Sequence, residues 1–232
     1  MIRDQETINQ LVGLVERFVR ERLVPNEKKL EEEAKLPEDI LQEMKALGLF
    51  GLTIPEEYGG LGLTMEEEIL IAIALGRTSP AFRSIMGTNN GIGSAAIVFN
   101  GSEEQKQKYL PRYASGEWIS CFCLTEPEAG SDAASLKTNA RREGDHYILN
   151  GTKRYITNAI IADTFNVMAR TDPAIQGARG ISSFIVERDT PGITLGPIDK
   201  KMGQAGSMTC DVTFEDCHVP AENLIGEEGE GF

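Results

Sequence analysis

Long apolar runs and an excess of basic charge are both missing from this chain of 232 residues. Because no run of about eighteen apolar residues occurs, a membrane-spanning helix is not expected. The first residues, M-I-R-D-Q-E-T, lack the apolar region of a signal peptide, so no signal peptide is expected. The net charge of -13 argues against a nucleic-acid partner, and it means that any anionic ligand must be bound through local contacts.

Cysteine and histidine are also scarce, with four and two residues. The spacing of Cys121, Cys123, Cys210 and Cys217 does not match the paired C-x-x-C hooks of a structural zinc site. His218 beside Cys217 leaves a metal site as an alternative, but we predict none. Reduced, partly buried thiols in a cytoplasmic protein are the preferred interpretation, with Cys121 and Cys123 on one face of a strand.

Glycine-rich nucleotide loops are missing as well. The glycine-dense segment Y-G-G-L-G at residues 58–62 has no preceding strand and no phosphate-binding lysine, so we interpret it as a packed loop. No internal repeat or low-complexity segment is visible. A chain of this length can form two medium-sized domains, each with its own core.

The residues before Trp118 follow a helical period, and we predict an all-α domain over residues 1–117. Capping boxes and helix-ending residues set the boundaries. The predicted helices are a first one from Ile8 to Leu23 ended by Pro25, a short one from Pro37 to Gly48, one opened by Thr64 and Glu67, a buried one from Phe82 to Phe99, and one opened by Ser102 and Gln105. The charged run from Glu27 to Glu33 is expected to be a solvated surface.

From Trp118 onward the apolar period changes to two, which is typical of strands. We predict an antiparallel β-barrel or sandwich over residues 118–232, so the fold class is α+β. Asn150-Gly151 is expected to be the turn of a hairpin, because this dipeptide suits right-twisted strands. The predicted strands are Trp118–Thr125, the two arms His146–Leu149 and Thr152–Ile156 of that hairpin, Phe165–Ala169, Ile181–Val186 and Cys210–Phe214.

The stretch around which the chain is organised is C-F-C-L-T-E-P-E-A-G-S-D at residues 121–132, followed by K-R-Y-I-T-N at residues 153–158. The loop that follows the first strand offers the hydroxyls of Thr125 and Ser131 and the backbone amides around Gly130. Such a loop can hold a flat, hydrogen-bonding ligand or a phosphate. Composition alone favours an ordinary turn, because Pro, Gly, Ser and Asp are common turn residues and three carboxylates of the loop would repel an anion.

These two motifs, T-E-P-x-A-G-S-D and N-G-x-K-x-(Trp or Tyr)-I-T-N, resemble the middle domain of the acyl-CoA dehydrogenases. The resemblance continues in D-T-P-G-I, K-M-G-Q and V-x-F-E-D-C-x-V-P within residues 189–220, and in G-L-F-G-L-T-I-P-E-E-Y-G-G-L-G at residues 48–62. It implies an FAD-dependent enzyme that oxidises an acyl-CoA thioester to a trans-2-enoyl-CoA. It also implies electron transfer to an electron-transferring flavoprotein and a homo-oligomer for the full-length protein.

The resemblance also implies a set of cofactor-binding residues. Thr125 would hydrogen-bond the pyrimidine side of the flavin, and Thr157 would hydrogen-bond near its N5 and O4. Tyr155 stands where the family often has Trp, beside the flavin, and Ser131 would contact the pyrophosphate and border the acyl-CoA. Strand propensity alone would explain Tyr155 and Thr157 equally well. The full set comprises Phe122, Cys123, Leu124, Thr125, Gly130, Ser131, Tyr155, Ile156 and Thr157.

No catalytic residue is predicted. In the family the general base is a Glu of a C-terminal helical domain, which would follow Phe232, so this portion alone is expected not to turn over acyl-CoA. Two alternatives remain: an acyl-CoA oxidase or flavin monooxygenase on the same scaffold, and a non-catalytic acyl-CoA-binding or assembly module. The length and branching of the acyl chain do not follow from the sequence.

Overall fold

The computed structural model describes residues 2–232, which form a helical part followed by a sheet. The last α-helix ends at Ser115, and the first strand begins at Ser120. The helices are α1 Gln5–Phe18, α2 Glu27–Glu33, α3 Glu38–Ala46, α4 Met65–Leu75, α5 Pro80–Asn90, α6 Ala95–Asn100 and α7 Glu103–Ser115. Within residues 2–232, no helix is long and apolar enough to cross a bilayer.

The sequence predicted that Pro25 ends the first helical segment, but the structure shows that the helical segment continues past it. The chain passes from α1 through a π-helical turn at Val19–Leu23 and a 3-10 turn at Val24–Asn26 into α2. Proline is tolerated at the start of a new helical turn, where its missing N–H has no partner to lose. The charged run is therefore a short helix anchored by the buried Leu30, and it is not solvated on every side.

The helix predicted from Phe82 to Phe99 is two helices, α5 and α6, separated by a glycine-containing turn. A Cβ atom on Gly93 would overlap the side chain of Ser120 in the first strand. The turn therefore lets the helical part and the sheet approach closely, which only glycine permits at that position.

Glu67 closes the predicted capping box at the start of α4 and also binds the N-terminal segment. Its carboxylate accepts hydrogen bonds from the backbone N–H groups of Arg3 and Thr64, each at 2.8 Å. The Arg3 N–H, the Thr64 N–H and the Arg3 charge lower the pKa of Glu67 from its ordinary value of 4.5 to about 2. The carboxylate form therefore stabilises the folded chain.

We expect this contribution of Glu67 to be complete above pH 4.5 and to disappear as the pH falls toward 2, because the folded-state pKa is the lower one. The measurement is the midpoint of urea unfolding for the wild type and for Glu67→Gln, at a series of pH values from about 7 to about 2. The wild type should be more stable than Glu67→Gln at neutral pH, and the difference between their unfolding midpoints should become smaller as the pH falls. A difference that does not change with pH would contradict the assignment.

The predicted α+β class is confirmed: the strands form one open, sandwich-like sheet. Its order is β6-β7-β3-β2-β4-β5-β8, and β1 pairs with β4. The strands are β1 Ser120–Cys123, β2 Asn139–Glu143, β3 His146–Thr157, β4 Thr164–Arg170, β5 Ile181–Glu187, β6 Ile193–Leu195, β7 Thr209–Pro220 and β8 Leu224–Ile225. The sheet is mixed, because β1 runs parallel to β4. The intervening β2–β3 hairpin is long enough to form the crossover that a parallel pair requires.

The prediction of a turn at Asn150-Gly151 is wrong. Strand β3 runs straight through these residues, and the two-residue turn is Gly144-Asp145, directly before it. Gly151 instead lies at a bulge opposite β7, with φ +150°, and a Cβ atom there would overlap Thr138. The glycine therefore permits close packing of the strand against the preceding loop.

Two main cores and a junction hold the molecule together. One core lies among α1 to α5, and the other fills the inner side of the sheet. A third apolar cluster joins Tyr109 and Tyr113 of α7 to Ile185 and Ile225 of the sheet. The helical part and the sheet are thus fixed to one another by buried contacts, and the grooves between them have a defined shape.

Candidate functional site

A buried ion pair connects the two sequence motifs. The Nζ atom of Lys153 donates to Oε1 of Glu126 at 2.8 Å and to the carbonyl of Leu124 at 3.1 Å, and the Lys153 side chain is 0% exposed. The other contacts of the Glu126 carboxylate are the backbone N–H groups of Lys137 and Thr138 at 2.6 and 2.9 Å. This pair attaches the loop after β1 to β3 on one side and to β2 on the other.

Burial raises the pKa of Glu126, but the N–H groups of Lys137 and Thr138 and the Lys153 ammonium outweigh it and hold that pKa below its ordinary value. Burial lowers the pKa of Lys153, against the opposing effect of Glu126. The sequence suggested that Glu126 would repel an anion. Its charge is instead compensated by the lysine.

Strand β1 presents its residues to opposite sides of the sheet. Cys121 and Cys123 face the inner core, both fully buried, with their Sγ atoms 4.0 Å apart. Phe122 and Leu124 face the other side and are half-buried. The side chain of Cys123 is therefore turned away from the surface that carries the other predicted site residues. Ile156 is likewise 3% exposed and belongs to the inner core.

Two clefts lie between the helices and this outer side of the sheet. The first cleft has a volume of about 650 Å³ and includes Thr157 in its lining. The second cleft, of about 420 Å³, includes Phe122 and Leu124. The two clefts are contiguous, because they share Ile92, Ala95 and Phe99.

Thr125 and Thr157 carry hydroxyl groups with no protein partner among residues 2–232. The carbonyl of Thr125 accepts a hydrogen bond from the N–H of Arg154 at 2.8 Å, which draws the loop and β3 together. Gly130 and Ser131 are exposed at the far end of the loop and line neither cleft, and the side of Gly130 where a Cβ atom would stand is open. Thr125 lines neither cleft either, so Thr157 provides the one unpaired hydroxyl of these two inside the clefts. A polar group in a largely apolar cleft is typical of a site for a small-molecule ligand.

Comparison with known proteins identifies the fold. The model of the acyl-CoA dehydrogenase N-terminal domain matches residues 5–117, and that of the middle domain matches residues 121–217. The chain belongs to the acyl-CoA dehydrogenase family. An acyl-CoA dehydrogenase of Bacillus subtilis (strain 168) is 41% identical over 94% of this chain and 58% of that protein. The chain therefore spans little more than half the length of this relative.

Solved structures agree with this assignment. One, from work on the electron transferring flavoprotein of Acidaminococcus fermentans, has a TM-score of 0.93 at 40% identity and covers 100% of this chain and 61% of that chain. Another, an acyl-CoA dehydrogenase from Bacillus anthracis complexed with FAD, has a TM-score of 0.87 at 41% identity and covers 99% of this chain and 40% of that chain.

Tyr155 has an unusual backbone conformation. Its φ of +59° places it in the left-handed region, which is strained for a bulky side chain, and it is 58% exposed. The guanidinium of Arg154 stacks on its ring at 4.7 Å and is itself held by Asp211 at 2.7 Å. The sequence motif predicted an aromatic residue here, but it did not predict the bulge that turns the ring outward.

Asn158, the last residue of the second motif, contacts helix α5, and the sequence did not predict this contact. Its Nδ2 group donates to the carbonyl of Ser84 and to Oγ1 of Thr88, each at 2.9 Å, and to the carbonyl of Ile85 at 3.3 Å. These acceptors all lie on α5. Asn158 therefore fixes the end of β3, with Thr157, against the helix that lines the first cleft. The only indication of this role in the sequence is that Asn158 belongs to the K-R-Y-I-T-N motif.

Proposed function

We propose that this chain is the FAD-binding, two-domain portion of an acyl-CoA dehydrogenase, with a domain boundary near residue 117. The observation that carries the proposal is the unpartnered hydroxyl of Thr157 in the first of two contiguous clefts, together with Phe122 and Leu124 in the second; the unpartnered hydroxyl of Thr125 follows Leu124 directly in the chain. The proposed reaction is α,β-dehydrogenation of an acyl-CoA thioester to a trans-2-enoyl-CoA. We further propose an electron-transferring flavoprotein as the acceptor and a homo-oligomer for the full-length protein.

The residues present fit a flavin. Its ring system is flat and apolar on its faces and carries hydrogen-bonding atoms at one edge, which suits Phe122 and Leu124 combined with Thr125 and Thr157. The exposed ring of Tyr155 offers an aromatic surface at the border of the site. For the pyrophosphate we propose the open backbone at Gly130 and the exposed Ser131.

The charges of the loop do not oppose this proposal. Glu126 is paired with the buried Lys153, and Glu128 is paired with Lys137. A carboxylate oxygen of Asp132 accepts a hydrogen bond from the Ser135 hydroxyl. The polar backbone of the loop therefore remains available for an anionic group without an unpaired glutamate beside it.

When bound, FAD supplies the acceptor for the hydride that leaves the substrate. The residues of this chain orient the reactants: Thr157 offers a hydroxyl at the floor of the first cleft, and Asn158 keeps that floor against α5. Ile92 and Phe99 contribute apolar surface to both clefts, against which an acyl chain can pack. We assign no residue of this chain as the general base.

Thr157→Val tests the flavin site, and we expect it to weaken FAD binding by about three- to tenfold, because one neutral hydrogen bond is lost. In the complete enzyme, the rate of flavin reduction should fall more than the substrate affinity does, by about 1 to 3 kcal/mol in activation free energy. The measurements are titration of flavin fluorescence, mass analysis of the released flavin, and stopped-flow reduction.

Thr152→Val is the matched control, since Thr152 lies on the same strand but contacts Thr213 and lines neither cleft. Recovery of FMN alone, or equal effects of the two variants, would count against the proposal. Rapid reaction of the reduced flavin with oxygen would favour the oxidase or monooxygenase alternative. Binding of acyl-CoA by a complete protein that shows no flavin reduction would favour the non-catalytic module.

We also propose a cytoplasmic location for the protein, because its four cysteines are free, buried thiols. Burial raises the pKa of Cys217 to about 11, and burial together with nearby Asp199 raises that of Cys210 to about 11 as well. Such thiols are unreactive, so we expect them to serve as apolar core residues.

A further inference from the structure

The first cleft contains an ion pair among otherwise uncharged side chains. The charged residues of its lining are Glu68 on α4 and Arg83 on α5. The apolar part of the lining includes Met65, Ile92 and Phe99, which are all more than half exposed. A plain acyl chain needs only such apolar surface, whereas the polar groups of a ligand site usually decide which ligand is accepted. The ion pair therefore points to a ligand that carries a charged group.

The ion pair is too loose to be explained by a structural role. Nη2 of Arg83 lies 3.7 Å from Oε1 of Glu68, and the two side chains are 47% and 18% exposed. Among residues 2–232, the Arg83 guanidinium has no hydrogen-bond acceptor. A partly exposed pair with this geometry contributes little to stability. Its N–H groups are free, and a guanidinium can hold a carboxylate through a pair of parallel N–H donors.

The backbone beneath the Arg83 guanidinium leaves space beside it. Gly87 stands one turn further along α5 and also lines the first cleft. A Cβ atom on Gly87 would contact Nη1 of Arg83 at 3.9 Å, and no other atom lies within 4 Å of that position. Because glycine has no side chain, this side of the guanidinium stays uncovered and can be reached by a ligand in the cleft.

Arg83 and Thr157 meet at the same cleft from its two walls. The Nδ2 group of Asn158 on one wall donates to the carbonyl of Ser84 on the other at 2.9 Å. Arg83 directly precedes Ser84, Thr157 directly precedes Asn158, and both line the first cleft. A thioester whose reacting carbons lie at Thr157 can therefore extend the far end of its acyl group to Arg83.

The carboxylate of Glu68 does not prevent Arg83 from binding a second carboxylate. Another arginine of this chain already serves two: Arg22 donates to Asp39 and to Glu43, each at 2.9 Å. A guanidinium between two carboxylates separates their charges and gives each its own N–H donors. Arg83 can keep Glu68 on one side and take a ligand carboxylate on the side over Gly87.

We infer that Arg83 makes the first cleft selective for acyl-CoA thioesters whose acyl group ends in a carboxylate. This inference rests on the proposed function and adds the substrate class to it. A carboxylate that entered an apolar cleft without a cation would lose its hydration and gain no partner, so Arg83 decides whether such a substrate is accepted. A substrate that ends in a methyl group would cover the guanidinium without pairing it, and should bind less well.

The test is titration calorimetry of the FAD-loaded chain, which is not expected to turn over the ligands during the measurement. Succinyl-CoA, glutaryl-CoA and adipoyl-CoA are each compared with the analogue in which a carboxamide replaces the terminal carboxylate, and with the unsubstituted acyl-CoA of equal length. The variants are Arg83→Met and Arg83→Lys, and their thermal unfolding and FAD affinity show whether they fold. Arg77→Met is the matched control, since Arg77 is 65% exposed, pairs with Glu16 and lines neither cleft.

We expect the wild type to bind at least one carboxylate-terminated thioester more tightly than its two uncharged counterparts. Arg83→Met should weaken that binding about ten- to a hundredfold, the size of a hydrogen bond to a charged group. It should leave the carboxamide analogue, the unsubstituted acyl-CoA and FAD unaffected. Arg83→Lys should keep part of the preference, because it keeps the charge but not the paired donors. Arg77→Met should behave as the wild type.

Three results would overturn the inference and leave the proposed function in place. They are a wild type without preference for the carboxylate, a preference that survives in Arg83→Met, and an equal loss of all thioesters in Arg83→Met, which would assign Arg83 a structural role. If the wild type binds FAD but no thioester, the inference is wrong while the flavin site stands. If it binds neither, both proposals are wrong.

Discussion

Replacing Lys153 by Met is expected to lower the free energy of unfolding by about 3 to 5 kcal/mol. The side chain is 0% exposed and the Glu126 carboxylate opposite it is 6% exposed, so the substitution leaves a negative charge buried without its partner. The measurement is urea unfolding at neutral pH, followed by circular dichroism.

The double variant Glu126→Leu/Lys153→Met separates the charge from the packing. Removing both charges should restore only part of the stability, because it avoids burying an unpaired ion but leaves the N–H groups of Lys137 and Thr138 without an acceptor. We also expect the double variant to bind FAD more weakly than the wild type, since the loop is no longer held by those hydrogen bonds. A loss below about 1 kcal/mol in the single variant would show that the pair is not the anchor of the loop.

Asn158→Asp is expected to cost more than about 3 kcal/mol at neutral pH. The amide nitrogen of Asn158 donates to three acceptors on α5, and the residue is 2% exposed. A carboxylate in this position loses the donor and faces three oxygen atoms. Because that site disfavours the charged form, the pKa of the introduced carboxyl should be raised, and the destabilisation should shrink as the pH falls below it.

Asn158→Gly is the control for this prediction. The backbone of Asn158 has φ +66°, which glycine adopts freely, so this variant removes the hydrogen bonds without adding backbone strain or charge. We expect a loss of about 1 to 3 kcal/mol that does not depend on pH. A pH-independent loss in Asn158→Asp would contradict the proposed contact with α5. Either variant should also weaken ligand binding in the first cleft, because Thr157 precedes Asn158 on that floor.

The sequence alone determined the features that depend on a few neighbouring residues. The capping boxes at Thr64 and Ser102 form as predicted, since their partners stand three positions away. The alternation of Cys121 and Cys123 with Phe122 follows from the period of a strand. The long motifs at residues 121–132 and 153–158 were sufficient to identify the family.

Only the tertiary structure decided which groups face one another across the chain. It made Asn150-Gly151 a bulge and not a turn, because the close packing of Thr138 on Gly151 depends on how distant segments approach. The pairing of Glu126 with Lys153, the outward ring of Tyr155 and the inward side chain of Cys123 depend on strand register and on bulges. Local periodicity fixes the side of a strand on which a residue lies, whereas packing between strands and helices fixes what that side meets.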